Sequence, residues 1–392
     1  MNKTRVRPGI EVLIEDQVDK LEGQRIGLVC NQATVLPSLR YAADVFHQHP
    51  QINLTTLFGP QHGIRGDVQD NMVETDHSVD GETGLPIYSL YSETREPTAE
   101  MLSEVDTVVF DLQDVGCRIY TFVYTMANCM RAARRHGKKV IVCDRPNPIG
   151  GLKVEGNVLE AEFSSFVGQF EITTRHGMTT GELALLFNEY FGIGCDLEII
   201  KMQGWKREMW YDDTGLPWVM PSPNMPTLDT ATVFPGSVHL EGTELSEGRG
   251  TTRPFEICGA PFIDPYQWKA ALDAYNFEGV YFRPLYFMPT FQKWGSRACG
   301  GVQVHVTDRE KYEPVKVGIA MVKTAFDMYE SHFQWKQGAY EYVFDKNPFD
   351  VVCGTDKIRK QIENQAKLQE ITEDWESGLT EFNKIRKDFL LY

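Results

Sequence analysis

Residues Asp106–Asp144 read DTVVFDLQDVGCRIYTFVYTMANCMRAARRHGKKVIVCD, and this stretch decides the fold class. Asp106–Leu112 (DTVVFDL) is an apolar strand. Tyr120–His136 repeats its apolar residues at helical spacing, and Gly137 supplies the left-handed stop that commonly ends a helix. Lys139–Asp144 (KVIVCD) is a second apolar strand. Strand, helix and strand in succession form a βαβ unit with parallel strands. Neither strand alternates apolar with polar residues, which is the pattern of a sheet covered on both faces.

The same alternation extends toward the N-terminus. Arg25–Cys30 (RIGLVC) and Asn53–Phe58 (NLTTLF) read as strands around a helical Leu39–His49, and Pro86–Tyr91 (PIYSLY) as a short third strand. Thr98–Glu104 reads as a helix capped by Thr98, with Glu100 in its first turns. Pro146–Gly151 (PNPIGG) can continue neither strand nor helix, so the domain boundary is placed there. Residues 1–150 are then an α/β domain with a mainly parallel sheet. Residues 151–392 form a smaller mixed α/β domain, with a helix at Gly181–Phe191, strands at Leu197–Ile200 and Gly300–Thr307, and helical segments within Asp356–Phe389.

Composition removes several function classes. The 39 basic residues against 55 acidic ones give a formal charge of −16. Phosphate backbones need a basic surface, so no nucleic-acid partner is expected. No apolar run reaches the length of a membrane span, and MNKTRVRPGIEVL has no signal-peptide core. The eight cysteines form no CxxC pair and no zinc-ligand spacing, and several sit in apolar runs such as GLVC and VIVC. Buried reduced thiols, no metal and a cytoplasmic location are the resulting expectations. The first strand is followed by NQATVLPS rather than G-x-G-x-x-G, and no phosphate-binding G-x-x-x-x-G-K-[ST] loop occurs. No nucleotide cofactor is expected.

In open α/β sheets, ligands bind outside the carboxyl ends of the strands. Four strands here run into polar loops: Asn31-Gln32-Ala33-Thr34, Gly59–Gly66 (GPQHGIRG), Asp111–Gly116 (DLQDVG) followed by Arg118 and Tyr120, and Asp144–Asn147 (DRPN). Their convergence makes one wall of a site. The glycines around His62 and Arg65 permit close backbone approach to a ligand. The second domain offers Arg175 and His176 before a helix, Asn224 in SPNMP, and the stretch Glu241–Glu256 (EGTELSEGRGTTRPFE). That stretch puts four carboxylates and two guanidiniums in sixteen residues. Guanidiniums grip carboxylates bidentately, and flanking aromatics such as Tyr91, Tyr120 and Tyr124 suit the apolar face of a sugar. Residue types alone indicate a hydrolase-like or binding cleft between two domains.

These motifs resemble a known family. GPQHGIRGD, TGLPIYSLYSET, FDLQDVGCRIYTFVYTM, DRPNPIGG, RHGMTTGEL, MWYDDTGLPWVMPSPNMPTLDTA and EGTELSEGRGTTRPFE are similar to the exo-β-N-acetylmuramidases of the NamZ family, from about Gly9 to the final Leu390-Leu391-Tyr392. The resemblance implies a Rossmann-like N-terminal domain, a smaller C-terminal domain and a catalytic cleft between them. It also implies release of N-acetylmuramic acid from the non-reducing end of peptidoglycan fragments, with a small carbohydrate as substrate and no cofactor; with a cytoplasmic location, that release would serve cell-wall recycling. One position departs from the pattern. The family motif usually reads Gly-Pro-Glu-His-Gly, its Glu being the leading catalytic candidate, and this chain has Gln61.

An amide is neither a general acid nor a carboxylate nucleophile. The expectation therefore passes to other carboxylates, with Glu244 and Glu93 leading and Asp114 and Glu155 behind them. His62 would assist proton transfer, and Gln61 would orient substrate or water. Arg65, Arg118, Arg175, Arg249 and Arg253 are candidates for the lactyl carboxylate, and Asn31 and Asn224 for the acetamido group or hydroxyls. Asp114, Tyr120, Tyr124 and His176 complete the expected substrate contacts. The alternative is a family member with altered catalysis that binds muropeptides or acts on a different glycoside.

Overall fold

The computed structural model describes residues 5–70 and 72–392. Its strands in chain order are β1 (Arg25–Val29), β2 (Asn53–Gly59), β3 (Ser78–Val79), β4 (Pro86–Ser89), β5 (Thr107–Phe110), β6 (Lys139–Cys143), β7 (Glu155–Val158), β8 (Thr173–Arg175), β9 (Asp196–Ile200), β10 (Ile257–Ala260), β11 (Val280–Phe287) and β12 (Cys299–Val306). Seven of them form one sheet in the order β3-β4-β2-β1-β5-β6-β9. Every pairing in it is parallel except β3 with β4. β10, β12 and β11 form a separate antiparallel sheet, and β7 pairs with β8. The chain is thus mixed α/β, with a mostly parallel main sheet and a smaller C-terminal part that has its own sheet.

Alternation along the strands explains their apolar reading. Val108 and Phe110 of β5 and Val140 and Val142 of β6 pack into the core on the side of the helix Phe122–His136. Val109, Ile141 and Cys143, their neighbours, pack on the opposite side with Ile10 and Leu13 of the helix Gly9–Asp16 and Phe46 of the helix Ala42–Gln48. Both faces of the strands are therefore dry, as continuous Val/Ile runs require. The core on the Phe122–His136 side continues through Phe234, Val238, Phe255 and Val302, so the C-terminal part packs on that side. Gly137 ends the helix at φ 63°.

The chain does not leave the main sheet at Gly150. It returns to add β9 beside β6, and the helical turn Thr180–Leu185 packs beneath it. The Pro-Asn-Pro-Ile-Gly-Gly stretch breaks local structure as expected, but it is a loop at the sheet's edge, because a parallel neighbour for β6 requires the chain to cross back. The helix expected at Thr98–Glu104 is also absent. Thr98 Oγ1 does accept from the Met101 N–H at 3.3 Å, but the segment then closes as turns. Met101, Leu102 and Val105 are drawn into the core, and the chain straightens at Asp106, whose carboxylate holds Arg25. Among the described residues, no helix is long and apolar enough to cross a membrane.

At the carboxyl edge, Asp111 after β5 takes a two-point ion pair from Arg145 after β6, with Nε–Oδ1 at 2.5 Å and Nη2–Oδ2 at 2.7 Å. The Thr34 hydroxyl donates to the Asp111 carbonyl at 2.6 Å, which ties in the loop after β1. Both charged groups are buried. Removing one member strands the other charge, so Arg145→Met is expected to destabilise the fold by about 3–5 kcal/mol. Urea unfolding measures this, and an unchanged midpoint would show that the pair does not hold the loops.

Candidate active site

A small cavity opens where the loops after β2 and β5 meet the C-terminal part. Gln61 and His62 come from the first loop, and Ile119, Tyr120, Thr121 and Phe122 from the second. Ser222 and Asn224, Phe234, Glu241, Arg249 and Phe255, and the adjacent Tyr340 and Glu341 close it from the other side. Its volume is about 40 Å³. The chain order places β1 next to β5, between the strands added leftward and those added rightward. Ligands of open α/β sheets bind at such a reversal, outside the carboxyl ends.

Two carboxylates in this wall have opposite surroundings. Glu341 is buried, and no Lys or Arg among the described residues pairs with it. The Tyr91 hydroxyl donates to its Oε2 at 2.7 Å, and the Gln61 amide donates to its Oε1 at 3.2 Å. Burial, with the nearby charge of Glu241, outweighs these two donors and the charge of Arg95 and pushes the carboxyl above its ordinary range. Burial also opposes the charged form of Glu241. There, however, Arg249 donates at 2.7 Å and Tyr340 donates its hydroxyl, and together they hold the carboxyl below its ordinary range. Arg249 further meets Glu247 at 3.4 Å, and Lys293 meets Glu247 at 2.9 Å. Two acids and two bases thus neutralise each other, while Glu341 is outside the network.

The backbone around both walls is held in unusual conformations. Glu341 and Tyr342 are consecutive non-glycine residues with φ 45° and 66°, in a tight turn where Tyr340 and Val343 exchange backbone hydrogen bonds. Such conformations cost on the order of 1 kcal/mol or more each. Arg95 lies over the Tyr91 and Tyr342 rings, 4.0 and 4.7 Å from their centroids, and packs the turn down. His62 is left-handed as well, with φ 71°. Its Nδ1 lies 2.8 Å from the Val68 carbonyl, which can only accept. Nδ1 therefore carries the hydrogen, and Nε2 of the neutral ring is an acceptor. Burial, with Arg249 next, lowers the His62 pKa to about 4.

Family models match nearly all of the sequence. The N-terminal model of the exo-β-N-acetylmuramidase NamZ matches residues 26–229, and the C-terminal model matches residues 232–392. The chain belongs to the NamZ family. It is 47% identical over 390 residues to the peptidoglycan β-N-acetylmuramidase NamZ of Bacillus subtilis strain 168, covering 100% of this chain and 92% of that protein. Crystal structures of two DUF1343 family proteins from Bacteroides fragilis NCTC 9343 share the fold. One is 38% identical with a TM-score of 0.90 and the other 28% identical with a TM-score of 0.77, each covering 99% of both chains.

Of the residues singled out in this NamZ-family sequence, Gln61, His62, Tyr120, Asn224 and Arg249 meet at the cavity. Glu244 and Glu93 do not line it. Glu93 is 74% exposed and pairs with His77 at 3.4 Å, because Tyr91, two residues earlier, takes the inward position. Glu244 is half-buried in a segment whose backbone is tied to the Gln334 carbonyl and the Trp294 indole, and Glu241 is the member of that loop that reaches the cavity. Glu155 lies on β7, where the Lys316 N–H donates to it. Asn31 and Arg65 line a separate cavity beside the loop after β1.

Several other candidates lie outside the cavity lining and bond to the protein itself. Asp114 accepts from the Gly116 N–H at 2.7 Å and sits 3.3 Å from His176, both buried. Arg118 donates to the Cys353 carbonyl at the end of the helix Pro348–Cys353. The Tyr124 hydroxyl donates to the Arg118 carbonyl, and Arg175 donates to the Ile149 carbonyl. Arg253 is exposed beside Glu256. Among the described residues, no group of three His, Cys, Asp or Glu side chains is placed to hold a metal. Glu341 escaped the sequence reading because GAYEYVFDK carries no motif and lies 280 residues from its partner Gln61.

Nitrogen-15 NMR should show His62 as the Nδ1–H tautomer at neutral pH, titrating near pH 4. Because its folded pKa lies below the unfolded value of about 6.5, His62 should withdraw stability as pH falls from that value through 4. Titration at the ordinary histidine pKa would contradict the buried, Val68-bonded ring.

Proposed function

We propose that this chain is an exo-β-N-acetylmuramidase that releases N-acetylmuramic acid from the non-reducing end of peptidoglycan fragments. The observation that carries the reading is the pair of cavity carboxylates pushed in opposite directions. Glycoside hydrolysis needs one protonated carboxyl for the leaving oxygen and one ionised carboxylate on the side of the anomeric carbon. Surroundings that separate two pKa values assign those roles. Glu341 is the general acid, and it gives its proton to the glycosidic oxygen. Glu241, held anionic by Arg249 and Tyr340, is the counterpart that attacks or activates water. His62 Nε2 accepts a hydrogen bond from a sugar N–H or O–H, and Asn224 supplies a neutral polar contact. Tyr120, Phe234 and Phe255 offer apolar surface to the ring.

The cavity has room for only about three waters, so its walls have to part for a sugar to enter. The family match over both halves of the chain and the activity named for the Bacillus subtilis relative support the same reaction. Eight buried, unpaired cysteines support a reducing compartment, in keeping with cytoplasmic recycling of recovered fragments.

Incubation with a muramic acid–glucosamine disaccharide or a chromogenic muramide should release free N-acetylmuramic acid, and absence of release would overturn the proposal. Glu341→Gln should lower kcat/KM by roughly 10²–10⁴-fold on a substrate with a poor leaving group, with less loss on an activated one. The pH profile should keep activity above the ordinary glutamate pKa of about 4.3, because the acid is raised and its counterpart lowered. Full activity in Glu341→Gln would remove Glu341 from the acid's role.

A further inference from the structure

Gln61 does more than line the cavity. Its amide bridges two residues from distant parts of the chain. Thr121 Oγ1 donates to Gln61 Oε1 at 2.7 Å, and Gln61 Nε2 donates to Glu341 Oε1 at 3.2 Å. Thr121 is the N-cap residue of the helix Phe122–His136, yet its hydroxyl caps nothing. A threonine there ordinarily accepts from the N–H groups of the first turn. Here the backbone of Thr121 is itself helical, at φ −76° and ψ −13°, so the hydroxyl makes no capping bond and orients the amide. With Oε1 engaged by Thr121, the NH₂ end faces Glu341. The Tyr91 hydroxyl engages the other carboxyl oxygen, so each oxygen of Glu341 has one fixed donor.

We propose that Gln61 is a positioning residue that gives Glu341 a hydrogen-bond donor with which it shares no proton, with Thr121 fixing the direction of the amide. The inference rests on the acid role assigned to Glu341 above. An amide N–H donates to a carboxyl in either protonation state and never competes for its proton. A carboxylate at the same place would share one proton with Glu341, and the two would titrate as a coupled pair. Gln61 is thereby compatible with hydrolysis. It separates the group that donates the proton from the group that orients the donor.

The test reads Glu341 directly, so that it does not depend on turnover. The full-length protein, labelled with carbon-13 at the glutamate carboxyls, is titrated by NMR, and Glu341 is assigned by its disappearance in Glu341→Gln. Gln61→Met keeps the volume but removes the donor to the charged form, so the Glu341 midpoint should rise by roughly one pH unit. Thr121→Val should move it in the same direction by less, and should add nothing in the double variant. Gln61→Glu should replace the single step by two. The alkaline limb of kcat/KM should follow the NMR midpoint in each variant. An unmoved midpoint in folded Gln61→Met, or a single step in Gln61→Glu, would overturn the inference. Shifted midpoints with an alkaline limb that ignores them would leave the positioning role intact and instead remove Glu341 from catalysis.

Discussion

The central strands β1, β5 and β6 of the main sheet are buried on both faces, and the rest of the molecule follows from that constraint. Strands whose successive side chains enter two different dry cores have no room for a functional polar group along their length. Polar chemistry is pushed to the loops beyond the strand ends. Even there, most of the polar side chains are occupied in holding the loops to one another. Asp111 with Arg145, Asp144 with Thr179 and the Tyr392 hydroxyl, and Asn31 with the Pro221 carbonyl are all links of this kind. The N-terminal half supplies a stiff edge, and few of its polar groups remain available to a ligand.

The C-terminal part completes the site by adding charge in a controlled way. Glu241, Glu247, Arg249 and Lys293 form a buried network whose charges cancel. Glu341 enters the same cavity with two neutral hydrogen-bond donors, Tyr91 and Gln61, and no ion pair among the described residues. In a low-dielectric pocket this difference sets protonation: a carboxylate beside a guanidinium stays ionised, and one among neutral donors keeps its proton more readily. The left-handed turn at Glu341 and Tyr342, packed down by Arg95, is the conformational strain that accompanies placing the carboxyl there.

Much of this was legible in the sequence, and for identifiable reasons. Apolar strands at Arg25–Cys30, Asn53–Phe58, Asp106–Leu112 and Lys139–Asp144, and the helix ending at Gly137, depend on short-range periodicity and local stop signals. The structure has them within a few residues. The polar loops following those strands were found by the same logic, and Gln61, His62 and Tyr120 do reach the cavity. Direction was not legible. Glu93 and Tyr91 are two residues apart, and only the fold decides which of them turns inward. Glu244 and Glu241 stand in one acidic loop, and only the packing of that loop selects Glu241.

The sequence by itself determined the α/β class, the parallel sheet, the edge where the polar loops gather and the family to which the chain belongs, because each of these is written in local periodicity and contiguous motifs. Tertiary structure alone decided the membership of the site. β9 returns to the main sheet from beyond the apparent boundary, and Glu341 meets Gln61 across 280 residues of chain. Protonation was likewise beyond the sequence. Glu341 and Glu241 are the same residue type, and burial beside neutral donors or beside a guanidinium is a property of three-dimensional neighbours.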